Sequence, residues 1–146
     1  MYASNPLDGY VYMIDGATNS LVRSVAVGGE PGGIAVNPAT NKVFVTGARF
    51  VTVLDGGSAG VANQIAAGGR TRGIAVDAER NQVYATTDGG GFLVVDGRTL
   101  DANHVGVHGS KPNGIAIDPA SRNIVVANGF NANVSVYSDD RAVGTS

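Results

Sequence analysis

Gly33-Ile34-Ala35-Val36, Gly73-Ile74-Ala75-Val76 and Gly114-Ile115-Ala116-Ile117 are three copies of one phrase, set about 40 residues apart. A turn follows each copy: Asn37-Pro38-Ala39-Thr40-Asn41-Lys42, Asp77-Ala78-Glu79-Arg80-Asn81-Gln82 and Asp118-Pro119-Ala120-Ser121-Arg122-Asn123. An apolar segment comes next: Val43-Phe44-Val45-Thr46, Val83-Tyr84-Ala85-Thr86 and Ile124-Val125-Val126-Ala127. Further on stand Val11-Tyr12-Met13-Ile14-Asp15, Val51-Thr52-Val53-Leu54-Asp55 and Phe92-Leu93-Val94-Val95-Asp96, with Val134-Ser135-Val136-Tyr137-Ser138 as a fourth copy. So many landmarks hold one register only in a true internal repeat.

Each unit reads as four short strands. Its segments run four to six residues, are rich in Val, Ile and aromatics, and are bounded by Gly, Pro, Asn and Asp. No window keeps a 3.6-residue apolar period over helical length. Asn37-Pro38 and Asp118-Pro119 start turns, and Asp15-Gly16, Asp55-Gly56 and Asp96-Gly97 suit hairpins. A unit of about 40 residues with four antiparallel strands is the blade of a β-propeller. The fold class is therefore all-β.

These residues carry a resemblance to the YVTN-type β-propeller repeats, relatives of the NHL and lactonase-like propellers. The family's strand appears as Val43-Phe44-Val45-Thr46-Gly47, Val125-Val126-Ala127-Asn128 and Tyr2-Ala3-Ser4-Asn5. Its long passage is clearest as Val27-Gly28-Gly29-Glu30-Pro31-Gly32-Gly33-Ile34-Ala35-Val36. With strands A to D counted outward from a propeller's centre, Gly-Ile-Ala-Val is strand A. The chain then divides into a partial blade B-C-D (1–32), two full blades (33–72 and 73–113) and a partial blade A-B-C (114–146). That is about three and a half blades, where closed propellers use four to eight. Such an arc leaves apolar faces at both ends. Either a second copy covers them in a homodimer, or missing blades of a longer chain do, or unusual local packing shields them. Ile34, Val36, Ile74, Val76, Ile115 and Ile117 are expected to be buried between blades.

Composition narrows the partners. The net charge is −2, which removes the broad basic footprint of nucleic-acid and anionic-membrane binders. No stretch approaches the roughly 18 apolar residues needed to span a bilayer, so membrane insertion is not expected. The chain has no Cys, which excludes disulfides, thiolate metal sites and cysteine nucleophiles. No basic-then-apolar leader stands at the N-terminus, which fits a cytoplasmic protein or the processed form of an exported one.

The resemblance implies that the D-to-A and B-to-C connections share the channel mouth, where propellers usually hold ligands. Along the D-to-A connections Glu30, Arg70 and Lys111 align, as do Gly32, Arg72 and Asn113. Charges that differ between copies at one position are candidates for individual function. Arg70, Arg72 and Lys111 suit a small anion, a peptide or a partner's carboxylate, or else are solvated loop charges. Arg49 and Asp88, from the B-to-C connections, belong on the same face. Gly89-Gly90-Gly91 lacks the G-x-x-x-x-G-K-[S/T] frame and the helix of a phosphate loop. His104 and His108 are four apart in a predicted strand, roughly 13 Å, too far for one ion. His108 alone, near the mouth, is a candidate for acid–base work. Asp15, Asp55 and Asp96 recur in every full copy, which argues for turn capping.

Two functional classes follow. One is a non-catalytic binding or assembly module with its site at the mouth. The other is an enzyme resembling the lactonases or streptogramin lyases, which use metal and acid–base residues there. With two His in a single strand, no matching constellation is found and no cofactor or metal is expected.

Overall fold

A computed structural model describes residues 1–106, 111–130 and 132–138. The described residues form four antiparallel sheets and no helix. Sheet I holds β1 (Tyr2–Asn5), β2 (Tyr10–Ile14) and β3 (Leu21–Ala26). Sheet II holds β4 (Ile34–Asn37), β5 (Lys42–Thr46), β6 (Phe50–Asp55) and β7 (Val61–Ala66). Sheet III holds β8 (Thr71–Asp77), β9 (Gln82–Thr87), β10 (Gly91–Asp96) and β11 (Ala102–Gly106). Sheet IV holds β12 (Pro112–Ile117), β13 (Asn123–Asn128) and β14 (Asn133–Ser138). Strands pair in sequence order throughout, so each sheet is a meander.

Register reproduces the sequence alignment. Ile34 faces Val45, Ile74 faces Ala85 and Ile115 faces Val126 in the three corresponding ladders. Side chains alternate between the two faces of each sheet, and successive sheets pack through them. Val11 and Val27 of the first unit meet Val43, Val45 and Leu54 of sheet II. Phe44, Val51 and Val53 of sheet II meet Val83, Ala85, Leu93 and Val95 of sheet III. Tyr84, Phe92 and Val94 of sheet III meet Ile124 and Val126 of sheet IV.

The core thus lies on the second and third strands of each unit. This corrects the expectation for the Gly-Ile-Ala-Val segments. Ile34, Ile74, Val76, Ile115 and Ile117 are only half-buried, and Val36 is exposed. Alternation reports which face a residue takes, but depth depends on strands lying to both sides, and β4, β8 and β12 are edge strands.

Two devices join the sheets. Gly33 and Gly73 let neighbouring first strands approach. A Cβ would lie 2.7 Å from the Arg72 carbonyl oxygen in the first case and 2.5 Å from that of Asn113 in the second. Hydroxyls at one repeat position also reach the next unit's carbonyl. Ser4 Oγ donates to Gly32 at 2.6 Å, Thr46 Oγ1 to Arg72 at 2.9 Å, and Thr86 Oγ1 lies 3.5 Å from the Asn113 oxygen. Sheet IV carries Ala127 at that position.

The recurring aspartates cap turns. Asp55 Oδ1 accepts from Gly57 and Ser58 amides, Asp96 Oδ1 from Arg98 and Thr99, and Asp15 Oδ1 from Ala17 and Thr18. Those bonds hold the Asp55 and Asp96 carboxyls below the ordinary range, chiefly through the Ser58 and Thr99 amides. The left-handed residue that closes each loop comes four after the aspartate: Asn19, Ala59 and Leu100, with φ of 54°, 52° and 65°. The Asp-Gly pairs open four-residue loops and do not themselves form the reversal.

Candidate functional site

Each connection into a first strand is pinned by a buried residue: Pro31, Thr71 or Pro112. Glu30 and Lys111, just ahead of the prolines, take left-handed conformations with φ of 49° and 55°. The loop between the second and third strands is tied to this connection by backbone. Asp88 N donates to the Arg70 carbonyl at 3.0 Å, and Gly129 N to that of Lys111 at 3.1 Å. Asp88 also closes the bond in reverse, its Oδ1 accepting from Arg70 N at 3.1 Å. Repeat geometry alone therefore brings the two sets of loops side by side.

A groove of about 330 Å³ lies where those of sheets III and IV meet, lined by Arg72, Asp88, Lys111, Asn113, Gly129 and Phe130. Four of the eight residues singled out from sequence meet there. Arg72 is fixed at its backbone, because its carbonyl receives the Thr46 hydroxyl and the Gly33 amide. Lys111 Nζ sits 5.7 Å from the centre of the Phe130 ring, within cation–π range. Gly129 leaves room at the wall, since a Cβ there would come within 3.1 Å of Asn113 Nδ2. Two cations, one carboxylate, an amide and an exposed ring give the groove a formal charge surplus of one positive and one apolar side.

The other candidates stand elsewhere. Arg70 and Glu30 pair with each other, and neither lines the groove. Arg49 lines a separate cavity of about 310 Å³ at the junction of sheets I and II, with Val27, Thr46, Phe50, Thr52 and Gln64 among its neighbours. The repeat-equivalent cavity one unit on, about 290 Å³, is lined by His104, Gly68 and Gly89 among others. His108 lies outside the described residues. Among the described residues no group of three or more His, Asp or Glu is placed to hold a metal ion. Phe130 and Gly129 were not singled out by charge. Alignment offers a signal for them, because Ala48, Asp88 and Gly129 each donate an amide to the preceding connection.

The sequence matches no protein-family model and no curated protein. Among solved structures 546 chains match, one of them Kuenenia stuttgartiensis hydrazine synthase, a propeller-containing protein. The TM-score is 0.84 at 22% sequence identity, covering 92% of this chain and 41% of that one. The likeness is one of fold. This chain thus spans less than half the length of that protein, and the identity is too low to carry function across. What stands is an all-β, propeller-like architecture of three- and four-stranded sheets.

Proposed function

We propose that the chain is an arc of YVTN-type propeller blades acting as a non-catalytic binding module for a small organic carboxylate, held in the groove between sheets III and IV. The convergence of Arg72 and Lys111 on one groove, beside Asn113 and the exposed Phe130, carries this reading. Arg72 offers a planar fork of donors suited to a carboxylate, and Lys111 a compact charge beside it. Asn113 supplies a neutral donor and acceptor. Phe130 offers an apolar face, which favours an acid with a flat or aromatic body over a bare ion. Asp88 repels a second negative charge, so a monocarboxylate fits better than a polyanion. Glu30 and Arg70 neutralise each other and add no field of their own at the groove.

Isothermal titration of benzoate and of acetate into the purified chain tests it. Saturable binding of benzoate, tighter than acetate, is expected. Arg72→Ala should weaken it by at least about tenfold, near 1.4 kcal/mol. Failure of benzoate to bind, or binding unchanged in an Arg72→Ala, Lys111→Ala double variant, overturns the assignment.

A further inference from the structure

Among the described residues, sheet IV presents a face built like the interior ones but without a following sheet. Register equates its Val125, Val134 and Val136 with Tyr84, Phe92 and Val94 of sheet III and with Phe44, Val51 and Val53 of sheet II. The latter six are all buried in the junctions between sheets. On sheet IV, Val134 and Val136 are 61% and 60% exposed.

The face of sheet I turned away from sheet II differs in the complementary sense. Val11 is buried toward sheet II, so alternation sends Tyr10 and Tyr12 to the other side, where their rings pair 6.3 Å apart. The position of Tyr12 is Thr52, Leu93 and Ser135 in the other units. Sheet I is thus the bulkiest receiving face and sheet IV the smallest donating one.

The hydroxyl pattern agrees. Thr46 and Thr86 reach carbonyls at the first strands β8 and β12 of the sheet that follows. Sheet IV has Ala127 there, so its outward face carries no such hydroxyl.

We propose that two copies of this chain associate head to tail, sheet IV of each covering Tyr10 and Tyr12 on sheet I of the other. This stands independently of the carboxylate groove. A three-stranded face with strands of four to six residues measures about 260 Å² at the usual strand spacing and rise. Two such contacts, counted on both partners, cover roughly 1,000 Å², the minimum that a specific interface needs.

Sedimentation equilibrium of the 146-residue chain at micromolar concentration is expected to give the mass of two chains. Val136→Lys and Tyr12→Lys should each reduce it to one. Both side chains lie on outward faces, and unchanged far-ultraviolet circular dichroism checks that the variants fold. An equimolar mixture of the two variants retains one intact contact and should recover a two-chain species at higher concentration. A wild-type mass of one chain overturns the proposal and points to blades of a longer protein as the cover. So does a dimer broken by Val136→Lys and untouched by Tyr12→Lys, which would mean sheet IV pairing with itself.

Discussion

The same substitution at the same repeat position should have opposite effects in neighbouring sheets. Gly73 and Gly114 both open a Gly-Ile-Ala sequence, and neither has a positive φ, so alanine is acceptable to both backbones. At Gly73 a Cβ would lie 2.5 Å from the Asn113 oxygen, 3.0 Å from Ile115 N and 3.1 Å from the Gly114 Cα, all backbone atoms of sheet IV. None of these can swing aside, so sheets III and IV must part by about 0.7 Å, enough to forfeit a quarter or more of each dispersion contact across the gap. Overpacking of this kind costs about 1–3 kcal/mol. Restricting the unfolded chain returns about 0.4–1 kcal/mol. Gly73→Ala should therefore destabilise by about 1–2 kcal/mol. At Gly114 the nearest atom is the Ala127 Cβ at 3.6 Å, an ordinary contact within its own sheet. There only the unfolded-state gain remains, and Gly114→Ala should stabilise by about 0.5 kcal/mol. Urea unfolding followed by circular dichroism, with slopes compared for two-state behaviour, measures both. Equal effects at the two sites would refute the account of how the sheets approach.

Arg122→Gly should raise stability by about 0.5–1 kcal/mol in a thermal melt, because Arg122 is exposed at a φ of 61° and a left-handed L-residue is strained. Its ion pair with Glu79, 4.0 Å apart on the surface, offsets little of that. Asp55, Asp96 and Asp118 carry folded pKa values below the unfolded ones through their turn hydrogen bonds. The stability they supply is complete above the unfolded value near pH 4 and is lost as pH falls through the lower folded values. Asp55→Asn should flatten that acid fall in urea midpoints, and an unchanged profile would contradict the capping role. Tyr84 is pushed up to about 12, by burial first and the Asp77 charge second. Its contribution is full below pH 10 and fades as pH rises through 12, so ultraviolet titration should show a late-ionising tyrosine that is lost in Tyr84→Phe. A titration curve unchanged by Tyr84→Phe at its high-pH end would contradict its burial.

The repeat makes the strand order and register readable in the sequence, because turn residues and apolar segments recur at fixed offsets. Val45, Ala85 and Val126 fall opposite Ile34, Ile74 and Ile115 as that alignment requires. Depth was less readable. Val36 and Val53 look alike in sequence, yet one lies on an edge strand and the other between two neighbours in its sheet and another sheet on its face. The groove was half readable. Comparing copies picked out Arg72, Asp88, Lys111 and Asn113 because charge varies there without a structural need. The same comparison treated Glu30 and Arg70 as separate candidates, since pairing between successive connections depends on loop path. Phe130 escaped because nothing in an Asn- and Gly-rich loop says which way a ring lies. The Asp-Gly pairs located the hairpins, but the reversing residue is chosen by the capping bonds of the aspartate and falls on Ala59 and Leu100.

The cavity beside Arg49 has a mechanical meaning. It opens into the junction of sheets I and II, where Thr52 stands at the position that the larger, fully buried Leu93 takes one unit later, beside a cavity of similar size. That seam is also held by a small buried cluster and by hydrogen bonds from Tyr2, Ser4 and Arg23. Cooperative opening follows the weakest junction in a stack of neighbours. Amide protons of residues 1–27 should therefore exchange with solvent as one early unit in a hydrogen-exchange measurement, ahead of the strands carrying Phe44, Val53, Val83 and Leu93.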